Sequence, residues 1–296
     1  MDAVSKYTKK QHYVPQCYLK RFCNEAGNLE VFELRGARPF STSPKNIASK
    51  RWLYESDSLE TNTIEKILSG WESRLPIVLD KLVAGANSRL KRKRPNSGLI
   101  TESEKAALIW LIALQMFRTP TFRGRFVGAS DDEDEAHDFF LLCLGDPWRN
   151  LEVLEYWNSH HLTVARTPKG SIFWTSDHPV AAIFTEDRGN GLVAGEPTIF
   201  YPIDSNHMVI LTPDSPKLGR PVRTFEATKE AVDCYNYQQA ANCESQVYAA
   251  EKTEREINDL IRRWPEVADG HVPLEFRGEA SLNPSFSLAP PRALKR

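Results

Sequence analysis

Hydrophobic spacing divides the chain into a short β-rich start, a helical middle and a strand-rich second half. Pro15 suits the first turn of a helix and disfavours helical geometry in the residue before it, so a short helix is expected from Pro15 to about Phe22, with His12 in its lead-in. Gln16 and Lys20 then lie one turn apart, and Leu19, Phe22 and Cys23 turn inward. Leu29–Leu34 and Arg51–Glu55 read as strands around a turn-rich stretch, Arg35–Asn46. From Leu59 to Ala84 the period becomes helical through Ile64, Ile67, Leu68, Trp71, Leu75, Val78 and Leu82, with Pro76 bending or interrupting the helix near its middle. Thr101 to Glu104 has the spacing of a capping box, in which cap hydroxyl and third-position carboxylate satisfy each other's backbone N–H. The helix it opens, Lys105 to about Arg118, is apolar on every side and therefore belongs inside, and Thr119-Pro120 stops it.

Asp131–Glu135 starts or precedes a helix reaching Gly145, and Leu151–Asn158 is a further helix. Five strands follow, His161–Arg166, Ser171–Thr175, Val180–Phe184, Ile199–Ile203 and His207–Thr212. Helices at Thr228–Cys243 and Lys252–Arg263 close the chain, with a strand at Gln246–Ala250 between them. The expected fold is α+β: a small N-terminal β unit with a short helix, a helical middle, and a C-terminal, mainly antiparallel sheet with two closing helices. Residues 1–270 read as a single domain with seams near 89–98 and 124–135, and the Pro- and Ser-rich residues 271–296 as a poorly ordered tail.

Composition narrows the function classes. A hydrophobic content of 41% over 296 residues supplies an ample core. Lys and Arg (38) nearly balance Asp and Glu (39), so contact with nucleic acid must use a local patch. The five cysteines are odd in number and form no CxxC pair, which fits reduced thiols in a cytoplasm rather than a disulfide framework or a zinc site. The start of the chain carries no apolar signal segment, and the greasiest run, Ala106–Phe117, is too short to span a bilayer. Walker A, GxGxxG, HExxH and GxSxG motifs are absent from the sequence.

Candidate chemistry is scattered. His12 suits a general base or metal ligand, since imidazole titrates near neutrality; equally it orders the loop before the helix. Glu65 and Glu72 are seven residues apart, about two turns at roughly 3.6 residues each, on one line flanking the apolar stripe. They suit Mg2+ or Mn2+ binding or acid–base work, or a solvated helix face. Arg118 with Gln115, three apart on one face, suits gripping a phosphate or carboxylate through a planar fork, or a structural pair with a glutamate, the Glu65/Glu72 line being the natural partner. Asp177 is either a third metal ligand or an ordinary turn aspartate. Arg89–Arg94, with Lys91 and Arg92 at its centre and Pro95–Gly98 closing it, reads as a mobile surface loop able to track a nucleic-acid backbone. Arg21 and Gln16 ride the first helix beside His12.

His12-Tyr13-Val14-Pro15-Gln16 with Tyr18-Leu19-Lys20-Arg21-Phe22, then Ser43-Pro44-Lys45-Asn46-Ile47, the Glu65/Glu72 helix, Gln115 to Pro120 and Thr175 to Val180 resemble the bacterial family called domain of unknown function 4238. These blocks span about residues 11–250, and His178 departs from the Asn or other small polar residue expected between Asp and Pro. The resemblance implies that the blocks converge in space. Two functional readings follow. In one, His12, Gln16, Glu65, Glu72 and Asp177 are catalytic or metal-holding groups of a phosphodiester hydrolase of the toxin or phage-defence kind, with Arg21, Gln115, Arg118, Lys91 and Arg92 gripping the substrate. In the other, the same groups form a buried network in a binding or regulatory module. A sealed Arg118–Glu contact favours the second.

Overall fold

The structure is a computed structural model that describes residues 9–34, 39–92, 99–128, 130–146, 151–184, 197–213, 224–251 and 254–263. The tail expected over 271–296 lies outside the described residues, as do the side chains of Lys91 and Arg92.

Strand β1 (Lys10–His12) leads into helix α1 (Gln16–Leu19), which tightens into a 3₁₀ turn over Lys20–Phe22. Pro15 is the cap rather than the first helical residue, with φ −59° and ψ 137°, and its carbonyl accepts from the Tyr18 and Leu19 amides. Strands β2 (Leu29–Glu33), β3 (Phe40–Thr42) and β4 (Ser49–Arg51) complete the N-terminal β unit. The strand expected over 51–55 ends at Arg51, because Trp52 takes a left-handed φ of 56° and the chain turns there.

The helical middle comprises α2 (Thr63–Glu72), α3 (Leu75–Arg92), α4 (Glu102–Phe117), α5 (Pro120–Val127), α6 (Glu133–Gly145) and α7 (Leu151–Ser159). The helical stretch expected over 59–84, with a bend or break at Pro76, is two helices parted just before Pro76, where a missing amide donor and a fixed φ are tolerated only in a first turn. Residues 89–92, expected in a loop, continue α3, and Arg89 is buried. Thr101 and Glu104 form the capping box that opens α4. Thr119-Pro120 ends α4 and at once begins α5, the Thr119 hydroxyl capping the Phe122 amide, so part of the expected seam at 124–135 is helical.

Strands β5 (His161–Arg166), β6 (Thr175–Ser176), β7 (Ala181–Phe184), β8 (Pro197–Asp204), β9 (His207–Thr212), β10 (Thr224–Glu226) and β11 (Gln246–Ala249), with helices α8 (Lys229–Asn242) and α9 (Glu254–Arg263), make up the second half. Only Thr175 and Ser176 of the expected strand 171–175 region are paired, as β6. One sheet has the order β10-β5-β9-β8-β7 and is antiparallel except for β10 against β5. Alternation sends Ile199, Tyr201, Val209 and Leu211 to the main core with α1, α3 and α4, and Phe200, Met208 and Ile210 to a second cluster with Ala231, Val232 and Tyr235 of α8. Covered on both faces, β9 is buried throughout, as its unbroken Met-Val-Ile-Leu run requires.

A second sheet, β3-β2-β11-β6, is antiparallel and joins the N-terminal unit to the C-terminal segment. Its Phe32 and Val247 pack with Trp174, Tyr237, Ala240 and Ile257. Helix α8 is thus wedged between two apolar clusters, and most of its circumference is buried despite its polar composition.

Candidate functional site

Strands β1 and β4 pair antiparallel as a separate two-stranded sheet; the apolar helix α4 ends against this pair and α2, and its cap residue, Arg118, is only 2% exposed. A guanidinium so buried must find acceptors for its donors. Nη1 donates to Glu72 Oε1 at 2.7 Å, Nη2 donates to the His12 carbonyl, and Nε donates to the Tyr54 hydroxyl at 3.3 Å. That hydroxyl donates in turn to the Arg118 carbonyl at 3.1 Å. The guanidinium also lies 5.8 Å from the Tyr54 ring centroid, within cation–π range. One turn earlier, Gln115 Nε2 donates to the Tyr13 carbonyl at 2.9 Å. Two side chains three apart on α4 therefore hold two consecutive carbonyls of the lead-in to α1.

His12, Glu65 and Glu72 do gather around this guanidinium, though His12 contributes its carbonyl to the contact rather than its ring. Burial and then the Lys10 ammonium lower the pKa of His12, so its imidazole is neutral near pH 7, and its buried Nδ1 has no hydrogen-bond partner. Glu65 is half-buried; burial raises its pKa against the pull of Arg118, with Glu72 and Glu55 adding to the rise, and its Oε2 is also unpartnered. Glu72 keeps 27% of its side chain exposed. The Cys17 thiol donates to the Glu72 carbonyl at 3.7 Å, and burial raises its pKa, which leaves it a poor nucleophile.

Three participants have no counterpart among the sequence candidates. Gln11, fully buried, accepts the Tyr54 amide at 2.8 Å and donates to Glu55 Oε1 at 2.6 Å. The Glu55 carboxylate also accepts the Asn62 amide, capping the backbone ahead of α2. Tyr54 is the third, enclosed between β1 and the end of α4. An amide in a short strand and a tyrosine after a tryptophan carry no motif, so only the fold identifies them.

The remaining candidates lie in other networks. Gln16 sits half-buried at the start of α1. Arg21 clamps the 3₁₀ turn to the β8–β9 hairpin and α3: Nε donates to the Ile203 carbonyl at 2.6 Å, Nη1 to Asp80 at 2.6 Å, and Nη2 lies 3.7 Å from Asp204. Next to it the Tyr18 hydroxyl donates to the Pro202 carbonyl at 2.7 Å and pairs with the Thr175 hydroxyl at 2.8 Å. Asp177, 1% exposed, accepts the backbone amides of Glu244 (2.7 Å), Ser245 (2.9 Å) and Gln246 (3.0 Å) and the Ser245 hydroxyl (3.1 Å). Burial lifts its pKa to about 6 even though these donors pull the other way. Its carboxylate fixes the turn into β11.

The loop around Asp177 is held by a ladder of amides on α8. Asn236 exchanges bonds with the Trp174 amide (2.8 Å) and the Ile172 carbonyl (2.9 Å). Gln239 accepts from the Ser176 hydroxyl (3.1 Å) and donates to the Pro179 carbonyl (2.9 Å), and Asn242 donates to the His178 and Val180 carbonyls (2.9 and 3.0 Å). The i, i+3, i+6 spacing puts all three on one helix edge. His178, the departure from the expected small polar residue, bonds the Thr119 hydroxyl through Nδ1 at 2.9 Å and so ties this loop to the α4–α5 junction. Among the described residues no three His, Cys, Asp or Glu side chains gather as a metal-binding group.

A family profile described as "Protein of unknown function (DUF4238)" matches residues 10–140 and 150–253. No curated protein and no solved structure matches the chain.

Proposed function

Since the chain belongs to the DUF4238 family, whose description names no activity, we propose from geometry that it is a binding or regulatory module without chemistry of its own, its motif residues forming a buried structural network. The observation that carries this reading is the engagement of Arg118: the group best suited to grip a phosphate is buried, and its Nε, Nη1 and Nη2 already donate to Tyr54, Glu72 and the His12 carbonyl. Gln115, Arg21 and Asp177 are likewise committed to backbone groups of distant segments. A nucleic-acid partner fits through a local cationic surface, the chain as a whole carrying a net charge of −1. Five free cysteines support a reducing compartment such as the cytoplasm, and no helix among the described residues is long and apolar enough to cross a membrane.

The second reading, a Mg2+- or Mn2+-dependent nuclease, draws support from the unpartnered His12 Nδ1 and Glu65 Oε2 near Glu72. The donor set does not fit the metal. Glu72 is engaged with Arg118 and Asp177 with the 244–246 turn, which leaves Glu65 alone among the three expected ligands. Purified protein incubated with RNA and with DNA, with and without either metal, decides between the readings. No cleavage is expected. Metal-dependent cleavage that disappears in folded His12→Ala and Glu72→Ala proteins overturns the non-catalytic reading.

A further inference from the structure

The β1–β4 strand pair carries a concentration of positive charge that the network behind it does not use. Lys9, Lys10, Lys45, Lys50 and Arg51 are all exposed on these two strands and their flanks. The register sets Lys10 directly opposite Arg51 and Gln11 opposite Lys50. Residues directly opposite in a strand pair project to the same face, and like charges so placed destabilise it. Within the described residues, Lys50 has a carboxylate partner, Glu244 at 3.6 Å, while the Lys10 ammonium rests on the Lys45 carbonyl at 2.6 Å. Lys9, Lys45 and Arg51 have no ion pair among the described residues. A near-neutral chain has therefore collected cations where they repel one another.

The backbone reinforces that placement. Ala48 and Trp52, the residues bracketing β4, both sit at positive φ, 49° and 56°. For a bulky aromatic this is a strained conformation, which persists only where the surroundings impose it. Here the Trp52 amide donates to the Lys9 carbonyl at 3.3 Å, and the Tyr13 amide donates to the Ala48 carbonyl at 2.9 Å. The indole, directly after Arg51 in the chain, is 43% exposed. Behind it, Gln11 bonds Tyr54 and Glu55, and Arg118 and Gln115 hold the carbonyls of His12 and Tyr13, so the strand pair is anchored to α4 and to the segment after β4.

We propose that this two-stranded sheet binds single-stranded nucleic acid, with Lys9, Lys10, Lys45 and Arg51 along the phosphates and Trp52 stacking on a base. Cations gathered at one strand pair match a phosphate backbone, and an exposed indole can stack on the base faces that a single strand leaves open and a duplex hides. The proposal rests on the binding reading and names its partner class.

The test is fluorescence anisotropy of the full chain with labelled 20-nucleotide RNA, the matching DNA strand and the corresponding duplex, without metal, at 50 and 200 mM salt. Four phosphate contacts on a single strand predict a loss of affinity of roughly fifty-fold over that range, and Lys10→Ala/Arg51→Ala reduces it to roughly seven-fold. Trp52→Ala weakens single-strand binding about tenfold and leaves the salt slope unchanged, a split that general misfolding does not produce. Melting temperatures of these surface variants serve as the folding control. Three results overturn the proposal: no binding at 50 mM salt, preference for the duplex, or full affinity in Lys10→Glu/Arg51→Glu. The last removes the surface while leaving a binding module intact. Cleavage of the strands on adding Mg2+, with binding still lost in the variants, instead removes the non-catalytic reading and keeps the surface.

Discussion

Replacing Glu72 with alanine strands the buried guanidinium of Arg118 with only the His12 carbonyl and the Tyr54 hydroxyl as partners. Arginine cannot shed its proton, so the charge stays. Removing one member of a buried ion pair costs about 3–5 kcal/mol. Glu72 is 27% exposed, so water enters the vacated space and the lower end, about 3 kcal/mol, is expected. At roughly 2–4 °C per kcal/mol for a domain of this size, the melting temperature falls by about 6–12 °C. The double change Arg118→Met/Glu72→Leu removes both charges while keeping much of their volume, and recovers at least half of the loss, since apolar replacements of buried pairs are often neutral or better. Urea denaturation of wild type and these two variants, together with their oligonucleotide affinities, reads both quantities. A cost for Glu72→Ala below about 0.5 kcal/mol, the level of an exposed pair, refutes the seal. So does a stable Arg118→Met/Glu72→Leu protein that has lost binding or activity, because the pair would then serve ligand rather than fold.

Asp177 sets a pH dependence. Its folded pKa, about 6, stands above the ordinary 3.8, so the folded state binds the proton more tightly; this contribution is complete below pH 4 and is lost as pH rises through 6, about 3 kcal/mol in all. The difference in unfolding free energy between wild type and Asp177→Asn, measured from pH 4 to 7, carries that slope, and a flat difference removes the assignment. Gln239→Ala leaves the Pro179 carbonyl without its donor in a buried loop and lowers stability by about 1–3 kcal/mol by urea titration, whereas Lys229→Ala, on the same helix but in an exposed i, i+4 pair, lowers it by less than about 0.5. Arg21→Lys loses the fork that reaches both Ile203 and Asp80 and costs about 1–2 kcal/mol, while Asp80→Ala, whose carboxylate is well exposed, changes the melting temperature by no more than about 2 °C.

What could be read from the chain in advance was local. The capping box at Thr101–Glu104 and the break before Pro76 depend on residues within one turn of each other, and both stand in the structure. The burial of Arg118 and its pairing with the Glu65/Glu72 line followed from an all-apolar helix and the need of a buried cation for a carboxylate. What could not be read was which atoms the motif supplies. His12 invites a reading through its imidazole, yet it is the carbonyl that Arg118 binds, and any residue has a carbonyl. The pairing of β2 with β11 joins segments more than two hundred residues apart, and nothing in Leu29–Glu33 names Gln246–Ala249 as its neighbour. Helix α8 misleads in the opposite direction. Asn236, Gln239 and Asn242 look like a solvent face, but they are buried or half-buried because a loop some sixty residues earlier satisfies them.

The polar clusters share a physical cause. Each lies at a strand end or in irregular backbone in the interior, where strand pairing leaves groups unsatisfied: residues 12–13 between β1 and α1, 172–180 around the two-residue β6, 202–203 at the irregular end of β8, and 244–246 leading into β11. A buried carbonyl or amide left unpaired is costly, so each such stretch needs side chains that reach it. Arg118 and Gln115 serve the first, the amides of α8 the second, Tyr18 and Arg21 the third, and Asp177 the last. Arg, Gln, Asn and Asp recur because each offers several donors or acceptors in a fixed geometry, enough to hold two groups at once. Residue types that read as an active site in sequence are therefore also those required to bury an irregular chain. The two cases separate by asking whether the cations are spent: Arg118 is held by Glu72, Tyr54 and the His12 carbonyl, whereas Lys9, Lys45 and Arg51 at the β1–β4 pair have no ion pair among the described residues.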